Sequence, residues 1–127
     1  MPLRTIRTDK APAAVGPYSQ GIVAGGFLFT AMQIALDPDS GELVGSTAAA
    51  QVRRCLENIG AIVEAAGASL ADVVKTTVYL KDMAEFQAVN EAYARFFISN
   101  PPARGIIEAS ALPKGALVAV EAVARVG

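Results

Sequence analysis

Residues 117–124, LVAVEAVA, are apolar at nearly every position rather than at alternate ones. A strand with one face in water alternates apolar and polar residues, so this run demands a strand covered on both faces. That requirement fixes the kind of fold that the rest of the chain must supply.

The flanking segments supply a mixed α+β layer. Residues 18–24 and 27–36 suit strands, and Gly25-Gly26 between them suits a two-residue hairpin turn. The turn formers of residues 37–41, DPDSG, end the second strand. With Ser46 as N-cap, Val52, Leu56, Ile59, Val63 and Ala66 then recur at helical spacing until Gly67 stops the helix. Residues 73–80, VVKTTVYL, are β-branched and aromatic, which predicts a strand. Asp82 and Glu85 form an Asp version of the capping box, and Phe86, Val89, Tyr93 and Phe96 carry a second helix to about Ile98. After Asn100-Pro101-Pro102, strands at 104–110 and 117–126 flank the turn Pro113-Lys114-Gly115, which predicts a second hairpin.

The expected fold is therefore one α+β domain over residues 1–127, with a mixed sheet and two helices packed on one face. Two helices cover only one face, so the other face is expected against neighbouring subunits. A composition of 53% hydrophobic and 18% charged residues agrees with that.

Eleven Lys and Arg against twelve Asp and Glu give a net charge of -1, with no run of like charge. That balance disfavours nucleic acid and anionic membranes as partners. The N-terminal stretch has no apolar signal region and no segment suggests a membrane span, so a cytoplasmic location is expected. The lone Cys55 reads as small apolar packing on a helix.

Histidine is absent. Ser-His-Asp and Cys-His chemistry are thereby excluded, and a structural zinc site is implausible. Catalysis must use carboxylate, arginine, tyrosine, hydroxyls, backbone groups and water. Glu121 stands inside the apolar strand, where an ionised carboxylate needs a partner; it is either an ion pair at a subunit contact or a group that orients water or moves a proton. Arg104 follows Pro101-Pro102-Ala103, a rigid approach; its planar fork suits a carboxylate ligand or an ordinary ion pair. Tyr18, in GPYSQG, is either a hydroxyl donor in a pocket or a packing residue. Asn90 is either solvent-facing or an interface hydrogen bonder. No glycine pattern for phosphate precedes a helix, and the aromatic residues 86, 93, 96 and 97 read as core rather than a base-stacking set.

Five segments together resemble the RidA family, also called the YjgF family, of reactive enamine and imine deaminases. They are APAAVGPYSQG at 11–21, QIALDPDSGELV at 33–44, LENIGAIVEAAGASLADVVKTTVYLKDM at 56–83, FQAVNEAYARFF at 86–97 and PPARGIIEASALPKGALVAVEAVA at 101–124. The resemblance implies a chorismate-mutase-like α+β fold, a homotrimer, and active sites in clefts between subunits. It implies that Arg104 binds the substrate carboxylate, that Glu121 positions the attacking water, and that Tyr18 joins them. Phe86 and Asn90 match residues that line the cleft from the adjacent subunit.

The implied reaction is hydrolysis of 2-aminoacrylate or 2-aminocrotonate, through their imines, to a 2-keto acid and ammonia, with no cofactor or metal. Where the family usually reads Thr-Ser-Gly-Gln-Ile-Pro, this chain reads Thr30-Ala31-Met32-Gln33-Ile34-Ala35, so Ala31 lacks a pocket hydroxyl and Met32 adds a flexible side chain. Gly105 and Ile106 stand where serine and cysteine are usual. A non-catalytic regulator that binds a small carboxylate is the alternative, and a ribonuclease or translation inhibitor is disfavoured by the charge and the missing histidine.

Overall fold

The computed structural model describes residues 2–127. Strands β1 (Arg4–Ile6), β2 (Gly21–Ala24) and β3 (Phe27–Thr30) precede helix α1 (Ala48–Ala65). Strand β4 (Val73–Leu80), helix α2 (Phe86–Ala94), and strands β5 (Ala103–Glu108) and β6 (Val118–Arg125) complete the chain. The strands form one mixed sheet in the order β1-β2-β3-β6-β4-β5, with only β4 and β5 parallel. Both helices lie on one face, as expected from the sequence.

The expected second hairpin is absent, and this is a correction. β5 and β6 are not neighbours, because β4 lies between them. The parallel β4–β5 pair needs a crossover, which α2 provides. The reason lies in the LVAVEAVA run itself: a strand apolar on both faces belongs at the centre of a sheet, between β3 and β4, whereas Arg104 and Glu108 place β5 at an edge. β1 was not anticipated, since three residues are too few to show alternation.

The first hairpin is as expected but shorter. Gly25 and Gly26 adopt φ of 58° and 83°, the double positive-φ turn that a two-residue β-hairpin requires. β3 ends at Thr30, beyond which one isolated bridge holds Gln33 to Val120. The turn at 37–41 is closed by Asp37, whose Oδ1 accepts from the backbone N–H of Asp39 at 2.8 Å and of Ser40 at 3.0 Å. Those two bonds hold its carboxyl below the ordinary value.

Thr47, not Ser46, caps α1, its hydroxyl accepting from Ala50 N–H at 3.1 Å. The far end closes when Gly67 N–H donates to Glu64 O at 2.9 Å and Ala68 N–H to Val63 O at 3.1 Å, a Schellman pair. Val52, Leu56, Ile59 and Val63 are fully buried, and Cys55 and Ile62 widen their stripe. They pack on Val118, Val120, Ala122 and Ala124, the buried alternate residues of β6.

On the other face of β6, Ala119 is buried while Glu121 and Val123 are half-buried. Phe27 and Phe29 of β3 are exposed. α2 is shorter than its spacing predicts. A 3-10 turn at Met83–Glu85 precedes it, with Asp82 Oδ1 accepting from Ala84 N–H at 2.9 Å. After Ala94 the N–H groups of Phe96 and Phe97 reach back three residues, to Tyr93 O and Ala94 O, as the chain tightens before Pro101.

Three buried amides join the irregular segments to this framework. Gln51 accepts from Leu117 N–H at 2.9 Å and donates to Gly45 O at 3.0 Å. Asn58, fully buried on α1, donates to Leu36 O at 3.0 Å and accepts from Arg54 at 2.8 Å. Gln20 holds residues 8–12.

Replacing Asn58 by Ala takes from Leu36 O its side-chain donor and is expected to cost about 1–3 kcal/mol in urea denaturation. The buried Cys55 thiol is pushed up to about 12, chiefly by desolvation. Its unfolded value is lower, so this stabilising contribution is complete below about pH 9 and is lost as pH rises towards 12. Native protein at about pH 8 is expected to resist aromatic disulfide reagents, reacting only at the rate of unfolding.

Candidate functional site

The expected site residues fall into three clusters. The first is built on the β5 edge and α2. Arg104 is paired with Thr76 of β4, so both side chains lie on the helix-bearing face. Phe86, Asn90 and Tyr93 sit at helical spacings of four and three, which presents them together to Arg104. Arg104 Nη1 donates to Asn90 Oδ1 at 2.7 Å. Its guanidinium carbon lies 4.9 Å from the centre of the Tyr93 ring and 5.8 Å from that of Phe86.

Tyr93 is the residue that sequence reasoning missed here, because its helical spacing is also that of a core residue. Its hydroxyl shares a buried 2.7 Å hydrogen bond with Thr76, and its ring stacks obliquely on Phe97 with centroids 4.9 Å apart. Burial raises its phenol above the ordinary value, against the opposing effects of the Thr76 bond and the Arg104 charge. The guanidinium therefore rests on a fixed aromatic floor. The ion pairs among the described residues are Arg54–Glu57 and Arg125–Asp72, so Arg104 has no carboxylate partner there. Most of its N–H fork is open to an anion. Ile106, two residues along β5, is half-buried against the core.

The second cluster is a cleft of about 470 Å³ between loops, bordered by Tyr18, Ala31 and Met32. Tyr18 is half-exposed, and its hydroxyl oxygen accepts from Val15 N–H at 3.3 Å, leaving its O–H proton free to donate. Ala31 N–H is bound to Gln20 O at 2.8 Å, which fixes the start of this wall. Gln20, itself buried, pins the opposite wall. Its Oε1 accepts from Thr8 N–H at 2.8 Å, and its Nε2 donates to Pro12 O at 2.8 Å and Thr8 O at 3.1 Å.

Glu121 forms the third cluster, on the face away from the helices. It pairs with Thr77 of β4 and borders a depression of about 260 Å³ with Thr30, Lys75 and Phe29. Thr30 Oγ1 accepts from Ala122 N–H at 3.0 Å and so closes the β3 side. The nearby Tyr79 phenol is raised by burial and then by the Glu121 charge. Lys75 and Tyr79 carry no signal in the sequence, where they read as ordinary strand residues.

One chain thus joins Arg104 to Asn90 and Phe86, and Tyr18 to Ala31 and Met32, but places Arg104 and Glu121 on opposite faces of the sheet. The chemistry available is an open guanidinium fork, a free phenolic donor beside an apolar cleft, and a carboxylate able to accept a proton. Among the described residues no helix is long and apolar enough to cross a membrane.

The chain is similar to known proteins over nearly its whole length. The sequence model of the family described as Endoribonuclease L-PSP matches residues 8–126. A RutC family protein of Pyrococcus horikoshii is 55% identical over 119 residues, 94% of each chain. The human protein named 2-iminobutanoate/2-iminopropanoate deaminase is 46% identical over 124 residues, covering 98% of this chain and 90% of its own. The crystal structure of E. coli TdcF with bound serine matches with a TM-score of 0.93 at 38% identity, over 98% of this chain and 99% of that one. The chain belongs to the Endoribonuclease L-PSP family, also known as the YjgF or RidA family.

Proposed function

We propose that this protein hydrolyses reactive 2-enamino and 2-imino acids, such as 2-aminoacrylate and 2-aminocrotonate, to 2-keto acids and ammonia. The observation that carries this reading is the Arg104 fork, held on Tyr93 and Phe86, bonded to a neutral amide and without a carboxylate partner among the described residues. Such a group is ready for a small carboxylate. The deaminase name of the human relative supports the same chemistry.

Opposite placement of Arg104 and Glu121 means that one copy cannot apply both to one small molecule. This reading therefore sets the site between copies of a homotrimer. Arg104, Phe86 and Asn90 of one copy face Tyr18, Ala31, Met32 and Glu121 of the next. The exposed Phe27 and Phe29 are covered in the same assembly.

The steps use these groups in turn. The enamine takes a proton at its β-carbon and loses one from its nitrogen to become the imine, whose carboxylate is held by Arg104. Water attacks the C=N carbon as Glu121 accepts a proton from it, and the Tyr18 hydroxyl donates towards the nitrogen. The carbinolamine then collapses: its nitrogen takes the proton held by Glu121, the C–N bond breaks with its electron pair leaving on ammonia, and the hydroxyl proton returns to the Tyr18 oxygen as the keto C=O forms. These residues need no cofactor for this sequence.

The bound serine of TdcF favours a second reading, a regulator that binds a small carboxylate through Arg104 without turnover. A ribonuclease role is disfavoured by the net charge of -1 and the lack of histidine.

With 2-aminoacrylate generated in place by a pyridoxal-phosphate dehydratase, the protein is expected to accelerate pyruvate release. Arg104→Ala should lower kcat/KM by about a hundredfold, the effect of losing a charge-assisted pair of bonds. No acceleration, or full activity in that variant, overturns the reading; a keto acid that binds in calorimetry without any imine turnover favours the regulator. Light scattering after size exclusion is expected to give the mass of three chains.

A further inference from the structure

The cleft beside Tyr18 is larger than a three-carbon imine needs, and its walls are mostly apolar. It holds about 470 Å³ and is lined by Val15, Met32, Ile34, Leu36 and Pro113. Part of the polar capacity along it is already spent. Lys114 Nζ donates to Gly41 O at 3.2 Å, and Gln33 exchanges both backbone bonds with Val120, at 2.8 and 3.0 Å. The side-chain donors left along it, the Tyr18 O–H, the remaining Lys114 N–H groups and the Gln33 amide, border a lining that is otherwise mostly aliphatic. A charged or strongly polar group set among the aliphatic residues would lose water with few partners to replace it.

The walls are also set before any ligand arrives. The buried Gln20 amide binds Thr8 on both its N–H and its carbonyl, and also holds the carbonyls of Ala11 and Pro12. Asn58 holds the carbonyls of Ile34 and Leu36 at 3.4 and 3.0 Å from the opposite side. The space between is thus a built pocket rather than a slack gap between loops. Met32, unbranched and 38% exposed, forms an adaptable part of the apolar wall.

We propose that this cleft is a side-chain subsite, and that the preferred substrates are 2-imino acids bearing branched aliphatic or aromatic side chains rather than the three- and four-carbon imines. The inference rests on the deaminase reading, since it assigns the far end of the same substrate whose carboxylate Arg104 holds. Each methylene buried there favours binding by about fourfold. A leucine-derived or phenylalanine-derived imine fills the cleft, whereas an alanine-derived imine leaves it largely empty.

The test uses an L-amino acid oxidase to release the imines of alanine, leucine and phenylalanine, with semicarbazide competing for each. The fall in semicarbazone measures hydrolysis by the protein. The expected result is kcat/KM at least about tenfold higher for the leucine and phenylalanine imines than for the alanine imine. Ala31→Leu, which fills the cleft, should bring that ratio towards one, with the melting temperature confirming the fold. Met32→Ala, which enlarges it, should raise the phenylalanine imine relative to the leucine imine. Hydrolysis of the alanine imine with equal or higher kcat/KM overturns this inference and leaves the deaminase reading intact. Failure to hydrolyse any of the three overturns both.

Discussion

The antiparallel pairing of β4 with β6 at the centre of the sheet governs where nearly every other functional side chain can lie. From Thr76↔Ala122 to Leu80↔Val118 the register is unbroken, so parity along each strand decides which face every side chain joins. Thr76, Val78 and Leu80 meet Ala122, Val120 and Val118 under α1 and α2, and all six are buried. The intervening residues, Thr77, Tyr79, Ala119 and Glu121, fall on the face that the helices do not cover. β5 adds to β4 in parallel and continues the same parity, sending Arg104 to the helix side. A slip of one residue in this pair would bury Glu121 beneath α1, which the desolvation of a carboxylate forbids.

Regular structure ends close to where the cleft begins, and side chains take over the work of the backbone ladder. Gln20, Gln51 and Asn58 are each buried and each bonded to main-chain groups of loops that have few ladder bonds of their own. A primary amide suits this task because it offers donors and an acceptor without charge, so burial demands only hydrogen-bond partners. The described residues contain no buried side-chain nitrogen or oxygen without such a partner. The loops gain rigidity from these bonds while keeping the irregular path that forms a concave wall.

The elements legible in the sequence were those with a local signal. The α1 stripe repeats along the whole helix, and Gly25-Gly26 specifies its hairpin within two residues. The two-sided apolarity of β6 signalled a central strand, yet its neighbours are set by pairing across distant segments, so β5 was wrongly joined to it. The amide staples gave no sign, because a Gln or Asn has no period of its own and its partners are carbonyls that every residue possesses. At the site, Arg104 was legible as a carboxylate-sized fork. Its floor was not, because Tyr93 has the same helical spacing whether it packs a core or supports a cation. The separation of Arg104 from Glu121 comes from sheet parity and strand order together, and strand order was the part that sequence alone misassigned.

That separation has a genetic consequence. In the proposed homotrimer, a site assembled from opposite faces of two copies would divide its parts between chains, so lesions in the two parts could fall on different subunits. In a trimer mixed from Arg104→Ala and Glu121→Gln chains, a cleft that draws its arginine from the second chain and its glutamate from the first contains no lesion. Two inactive alleles would then complement each other when expressed together, whereas both changes on one chain, in the absence of an intact copy, would leave nothing to restore.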